Sequence, residues 1–139
     1  MFRFRFIFSD VQNMTVTPES IFDVVGQAGI TRLVRNFYEQ VPGDEILGPM
    51  YPADALSEAE HRLLGFLTYR FGGPDSYLAE RGNPRLRMRH APFVIDQAAR
   101  DRWMTLMSSA LQNVDFSPEV RATLAKFFDE TATFLINHH

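Results

Sequence analysis

No cysteine occurs in this chain of 139 residues, and only four histidines do, two of them the terminal pair His138-His139. The first absence removes disulfides, thiolate catalysis, iron-sulfur clusters and cysteine-ligated zinc together. The internal histidines are His61 and His90, and neither lies in a His-Glu-x-x-His pattern. A transition-metal site built from protein side chains alone is therefore poorly supplied. The terminal histidines are assigned no metal role. Long apolar runs are lacking too: no stretch approaches the roughly 20 residues that a membrane-spanning helix needs. Nor does charge of one sign accumulate. The net charge is -3 and there is no long basic run, so nothing electrostatic points to nucleic acid. These absences lead to the expectation of a soluble protein with no membrane or nucleic-acid partner, for which the cytoplasm is the simplest location.

What remains is a chain with 45% hydrophobic and 22% charged residues, long enough for one sizeable core and too short for two comfortable ones. A single domain over residues 17–139 is expected, preceded by an extension of residues 1–16. The opening Met-Phe-Arg-Phe-Arg-Phe-Ile-Phe-Ser-Asp alternates aromatic and basic residues. Its apolar part is too short and interrupted for a secretory signal. It reads equally as a short strand, prone to edge pairing, or as a mobile extension.

Helical signals dominate the rest. Thr17-Pro18-Glu19 reads as an N-cap with proline in the first turn, and Ile21, Val24 and Val25 recur at helical spacing until Gly26 to Gly29 interrupt. A second helix is expected from about Ile30 to Val41, with apolar residues at i, i+3, i+4 and i+7 and Tyr38 on its apolar side. Pro42-Gly43 ends it, and a compact connector leads to a capping-box pattern at Ser57-Glu58-Ala59-Glu60. The third helix runs to about Phe71, where Gly72-Gly73-Pro74 stops it. Asp75 to Arg81 is a brief helix or a loop. Asp96 and Ser117 are N-caps for two long helices ending near Asn113 and Asn137. The chain reads as all-α.

One stretch carries chemistry. Arg85-Leu-Arg-Met-Arg-His90-Ala-Pro-Phe93 sets one histidine among arginines, thirteen residues before Trp103, the chain's one tryptophan. Haem suits that inventory, because its pyrrole nitrogens fill the equatorial positions and leave the protein to supply one axial imidazole. Neighbouring guanidinium groups would pair with the two propionates. On the third helix Ala59, Leu63, Phe66 and Leu67 fall at i, i+4, i+7 and i+8 and share an apolar face. His61 is two positions, roughly 200° of rotation, from Ala59 and should point elsewhere. Each feature alone has a plainer reading: a surface histidine, an ordinary core stripe, packed aromatics, solvated arginines.

Taken together, the Arg85 to Phe93 run, Asn36-Phe37-Tyr38, Met50-Tyr51-Pro52 and Trp103 resemble the truncated haemoglobins, specifically their second group, from about Ile21 to Leu135. The resemblance implies a truncated globin fold, a 2-over-2 helical sandwich around haem b (iron protoporphyrin IX), with His90 as the iron ligand. It puts Ala59 where many globins have a distal histidine or glutamine, so that Tyr38 and Trp103, joined by Tyr51, would donate hydrogen bonds to a bound gas. It assigns Arg62 and Arg89 to the propionates, with Tyr77 and Arg87 as weaker candidates. The expected ring contacts are Leu56, Ala59, Leu63, Phe66, Leu67, Leu86, Phe93, Ile95 and Met107. Two departures from the pattern, Gln27 between the early glycines and Phe71 before Gly72-Gly73, bear on local loop geometry.

The implied function is binding of dioxygen, and of carbon monoxide and nitric oxide, at a five-coordinate ferrous iron with slow release. Conversion of nitric oxide to nitrate by a nitric oxide dioxygenase activity, or a weak peroxidase activity, would need an unknown reductase or a peroxide. The rival from another class is a haem-free helical protein-interaction domain whose arginine run docks an acidic partner. The expected assembly is a monomer or a homodimer.

Overall fold

The computed structural model describes residues 15–139. The strand or extension expected over residues 1–16 lies outside that range as far as residue 14. From Val16 onward the chain is already packed, since Val16 lies against the core and its carbonyl accepts a hydrogen bond from Thr123 Oγ1 at 3.3 Å.

Thr17 and Ser20 close a short 3-10 turn, Pro18–Ser20, in which Ser20 Oγ accepts from the Thr17 amide at 3.0 Å. The turn feeds directly into helix α1, Ile21–Gln40. The two helices expected on either side of Gly26 to Gly29 meet at a kink within this span, and the break is narrower than expected, because only Gly26 leaves helical geometry, at φ 70° and ψ 176°. Glycine reaches that region at no steric cost. Gln27 and Ala28 are good helix formers, and Gln27 Nε2 donates to Thr68 Oγ1 at 3.0 Å, so the helix restarts at once.

After α1 the chain is held by Asp44, whose buried carboxylate accepts from the amides of Ile46 at 3.0 Å and Leu47 at 2.8 Å and pairs with Arg102. Two further 3-10 turns, Gly48–Met50 and Ala53–Ala55, lead into α2, Leu56–Arg70. The capping box expected at Ser57 does not form. The Ala55 amide already donates to Pro52 O at 2.9 Å, so the backbone turn runs on into the helix without a side-chain cap. At the other end Gly72 has φ 92°, and a Cβ there would collide with the Glu19 carbonyl. That contact brings the end of α2 against the start of α1, where the Phe22 amide donates to Phe71 O at 2.9 Å.

The segment left open as helix or loop is a short helix, α3, Ser76–Arg81. The arginine-rich run holds another, α4, Leu86–His90, entered through Arg85 in the left-handed region at φ 44°. Both long helices that follow start at the expected caps. In α5, Gln97–Asn113, Asp96 Oδ1 accepts from the Ala99 amide at 2.9 Å; in α6, Pro118–Phe134, Ser117 Oγ accepts from the Val120 amide at 3.3 Å. Helix α6 stops at Phe134, short of the expected Asn137, because the tail turns back: the Asn137 amide donates to Ile95 O at 2.9 Å.

The long helices form two layers. Helix α1 pairs with α2, α5 pairs with α6, and α1 crosses α5 to join the pairs, which is the expected 2-over-2 helical sandwich. Phe37, Phe71 and Phe128 are fully buried where the layers meet. Burial of each such ring contributes roughly 1.5–3 kcal/mol, so the aromatic junction is a principal source of cohesion. The shorter α3 packs against α2.

Candidate functional site

Between the two layers, beneath α3 and α4, lies a cavity of about 630 Å³. That is cofactor-sized, within the range of roughly 300–1,000 Å³ usual for buried ligands. Its walls come from every α-helix among the described residues. Helix α2 contributes Ala59, Leu63, Phe66 and Leu67, the apolar face that the spacing implies. Helix α4 and the loop after it contribute Leu86, Arg89, His90, Phe93 and Ile95. Tyr38, Tyr51 and Trp103 meet at one end, and Arg62, Tyr77 and Arg81 also line it.

His90 is oriented by a backbone bond: its Nδ1 lies 2.7 Å from Leu86 O, four residues earlier in α4. A carbonyl accepts only, so Nδ1 is the donor, and in the neutral ring this leaves the lone pair on Nε2. This is the state in which imidazole binds a metal, and the arrangement matches the pattern in which a ligating histidine donates its other N-H to a carbonyl. His61, by contrast, is exposed on the outer side of α2 and paired with Glu80 at 3.2 Å.

The polar end of the cavity holds three donors. Tyr38 Oη donates to Ala59 O at 3.2 Å, and the rings of Tyr38 and Tyr51 meet edge to face at 5.8 Å. Burial, helped by the neighbouring Tyr51, pushes the Tyr38 hydroxyl far above the ordinary phenol range. Burial raises Tyr51 as well, against the opposing influence of Tyr38 and Trp103 beside it. Both phenols therefore stay protonated at any physiological pH and remain hydrogen-bond donors. Trp103 packs between Phe37 and Phe128, with ring centroids 5.1 and 5.6 Å away, which holds its indole in place.

The arginines divide into separate roles. Arg62 is tied only loosely, to Glu58 on the same helix at 3.6 Å. Arg89 lies on the cavity wall with its guanidinium engaged: Nε donates to Pro84 O at 2.7 Å, and Nη2 to Arg81 O at 2.7 Å and Asn83 O at 3.2 Å. Three of the five guanidinium N-H groups are thereby used, leaving Nη1 for an anion. Arg87 is not on the wall; it is exposed, with its guanidinium 5.2 Å from the centre of the Phe134 ring.

Two other expected contacts also lie off the cavity. Leu56 packs on the core at the start of α2, where Ala55 takes the wall position, and Met107 is fully buried beneath the wall, one turn of α5 beyond Trp103. Sequence reasoning missed one whole side of the site. Phe127, Phe128, Thr131, Ala132 and Leu135 of α6 and its end line the cavity, as do Ala99 and Arg100 of α5. The signal was present in α6, where Phe128, Thr131, Ala132 and Leu135 fall at i, i+3, i+4 and i+7 with small residues in the middle. Arg81 was missed as well. Its Nε is the one buried side-chain nitrogen or oxygen among the described residues without a hydrogen-bond partner. Such a group is costly to leave bare and is satisfied most simply by an anion.

Haem fits this set of residues. The apolar walls accept a large planar ring, the free Nε2 of His90 accepts an iron, and the unpartnered Arg81 Nε with the loosely held Arg62 accepts carboxylates.

Comparison with known proteins agrees with this geometry. Residues 20–137 match the family described as bacterial-like globin. The chain is 35% identical over 116 residues to the group 2 truncated haemoglobin YjbI of Bacillus subtilis, a match covering 84% of this chain and 87% of that protein. Among solved structures, a thermostable haemoglobin from Thermobifida fusca superposes with a TM-score of 0.81 at 40% identity, covering 85% of this chain and 97% of the other. The truncated oxygen-avid haemoglobin from Bacillus subtilis superposes with a TM-score of 0.80 at 35% identity, covering 85% and 99%.

Proposed function

Because this chain belongs to the bacterial-like globin family, in the group II truncated haemoglobins, we propose that it binds haem b through His90 and holds dioxygen with slow release. The observation that carries this reading is His90: its Nδ1 is held 2.7 Å from Leu86 O, and its ring lines a cofactor-sized apolar cavity with no hydrogen bond to Nε2 among the described residues. Bound haem supplies an iron centre with an open coordination position for a diatomic gas.

The residues of the chain do the rest. Leu63, Phe66 and Leu67 on one side and Leu86, Phe93 and Ile95 on the other bury the ring and exclude water. Arg62 and Arg81 neutralise its carboxylates, with Arg89 Nη1 and Tyr77 beside them. At the polar end Trp103 Nε1, Tyr38 Oη and Tyr51 Oη offer N-H and O-H groups to a gas that takes up negative charge, and in an apolar pocket such bonds are strengthened. Dioxygen is the best acceptor among the candidate gases. Carbon monoxide and nitric oxide should enter the same pocket and gain less from these donors.

Retention of a ligand is favoured over acid-base turnover. Ala59 cannot move a proton, and the two phenols are pushed by burial away from the range in which they could. Oxidation of nitric oxide by the held dioxygen remains within this reading and would require an external reductase to restore the ferrous state. The haem-free interaction domain leaves the cavity and the bare Arg81 Nε without a purpose. Absorption spectra of the purified, haem-reconstituted protein test the proposal. A Soret band is expected, sharply diminished haem retention in His90→Ala, and little change in His61→Ala. Equal haem occupancy with an unchanged ferrous spectrum in His90→Ala would reject the assignment.

A further inference from the structure

The helix that carries His90 is too short to hold itself. Helix α4 has five residues and is entered through a left-handed, non-glycine residue, Arg85, with no side-chain cap. Isolated helices of such length are unstable in water, so the direction of the His90 ring depends on what fastens α4 from outside. Its front is fastened by Arg89, bonded to the carbonyls of Arg81, Asn83 and Pro84.

Its rear is fastened by the C-terminal tail, chiefly by Asn137, with the His138 amide also donating to Ile95 O at 3.2 Å and His138 Nδ1 lying 2.6 Å from Asn137 Oδ1. Asn137 Nδ2 donates to Phe93 O at 2.9 Å and to the carbonyl of His90 itself at 3.3 Å. Asn137 Oδ1 accepts from the Ile95 amide at 2.9 Å, and the Asn137 amide donates to Ile95 O at 2.9 Å. The tail thus joins the loop after α4 as a short two-sided clasp, more than forty residues away in sequence. Within that loop, Ala91 and Phe93 otherwise bond only back to Met88 O and His90 O.

We propose that Asn137 is a positioning residue for the iron ligand: by holding the carbonyls of His90 and Phe93 and the amide of Ile95, it sets the tilt of the His90 imidazole toward the cavity. The assignment rests on the haem-binding reading above. An amide side chain is required, because the position must donate on one side and accept on the other. Aspartate has nearly the same shape and could still accept from Ile95, but it has no N-H and would set a negative charge against two carbonyl oxygens.

Asn137→Ala and Asn137→Asp, both in the full chain reconstituted with haem, test this. Asn137 is half-buried beyond the end of α6 and outside the hydrophobic core, so both variants keep the packed layers. The iron-histidine stretching band of the ferrous protein, read by resonance Raman, should shift or broaden in both. Haem transfer to a scavenging apoprotein should be several-fold faster, and aspartate should do no better than alanine. The carbon monoxide stretching band, which reports the opposite side of the ring, should stay in place. An unchanged iron-histidine band in both variants would overturn the proposal, as would full retention of the parental band by aspartate or an equal disturbance of the carbon monoxide band. A separate measurement needs no haem: amide exchange at Ile95 in the apoprotein should be slow in the parent and fast in Asn137→Ala. If the parent takes up no haem, the haem reading fails on that result, while the exchange rate still decides whether the clasp exists.

Discussion

Trp103→Phe is the substitution that most directly probes how the pocket holds a gas. Of the three donors at the polar end, Tyr38 has its proton committed to Ala59 O at 3.2 Å. Trp103 Nε1 has no such backbone acceptor among the described residues and lies beside the Tyr51 hydroxyl. Unlike the Tyr38 hydroxyl, the indole N-H has no backbone bond to give up to a ligand. Phenylalanine keeps an aromatic ring between Phe37 and Phe128 and removes that one proton. A hydrogen bond to a partly charged acceptor is worth roughly 1.5–3 kcal/mol, which is about a tenfold to hundredfold change in an equilibrium constant. Tyr51 or Tyr38 will recover part of this by turning toward the ligand, so the net expectation is oxygen release several-fold faster or more. Carbon monoxide, the poorer acceptor, should respond less. Stopped-flow dissociation of oxygen from the ferrous protein measures the effect directly. Tyr38→Phe in the same assay has opposing contributions, because losing one donor frees its neighbour. An unchanged rate in the Trp103→Phe, Tyr38→Phe double variant would refute the distal hydrogen-bond account.

The arginine assignments predict an order: Arg62→Ala with Arg81→Ala should accelerate haem transfer to a scavenging apoprotein more than Arg87→Ala, whose side chain sits on Phe134, and equal rates would return all three to ordinary surface charge. Gly72→Ala should lower the thermal midpoint markedly, since a Cβ meets the Glu19 carbonyl and the residue needs φ 92°; a midpoint within error of the parent would show that the α1–α2 junction yields easily. For Asp44, burial raises the carboxyl but the Leu47 amide, Arg102 and the Ile46 amide outweigh it and hold it below the usual carboxylate range. A depressed folded value means that its stabilisation is complete at neutral pH, begins to fade as pH falls past the unfolded value of about 3.9, and is lost below the folded one. Chemical denaturation of Asp44→Asn should accordingly show a smaller loss of stability between pH 7 and pH 3 than the parent, and parallel curves would remove Asp44 from the acid response.

Features that depend on local chemistry were legible in the order of residues alone. Asp96 and Ser117 cap their helices because a side-chain oxygen placed before a helical run satisfies amides two or three residues on, whatever the rest of the chain does. The apolar face of α2 was legible for the same reason, since helical spacing alone puts Ala59, Leu63, Phe66 and Leu67 on one side. So was the separation of His61 from His90. The rest needed the folded chain. Periodicity does not say which apolar residues face a cavity and which face another helix, so Met107 and Leu56 were expected on the wall, yet Met107 lies in the core and Leu56 packs on it, while the α6 wall went unread. Nor does it weigh remote hydrogen bonds against one more helical turn. Helix α6 stops at Phe134 because Asn137 finds better partners at Ile95 and Phe93, and the five-residue α4 exists because Arg89 and that tail hold its two ends. Local propensity acts over a turn or two, whereas the direction of the His90 ring is set by contacts from residues 81–84 and from residue 137, which only the folded chain brings together.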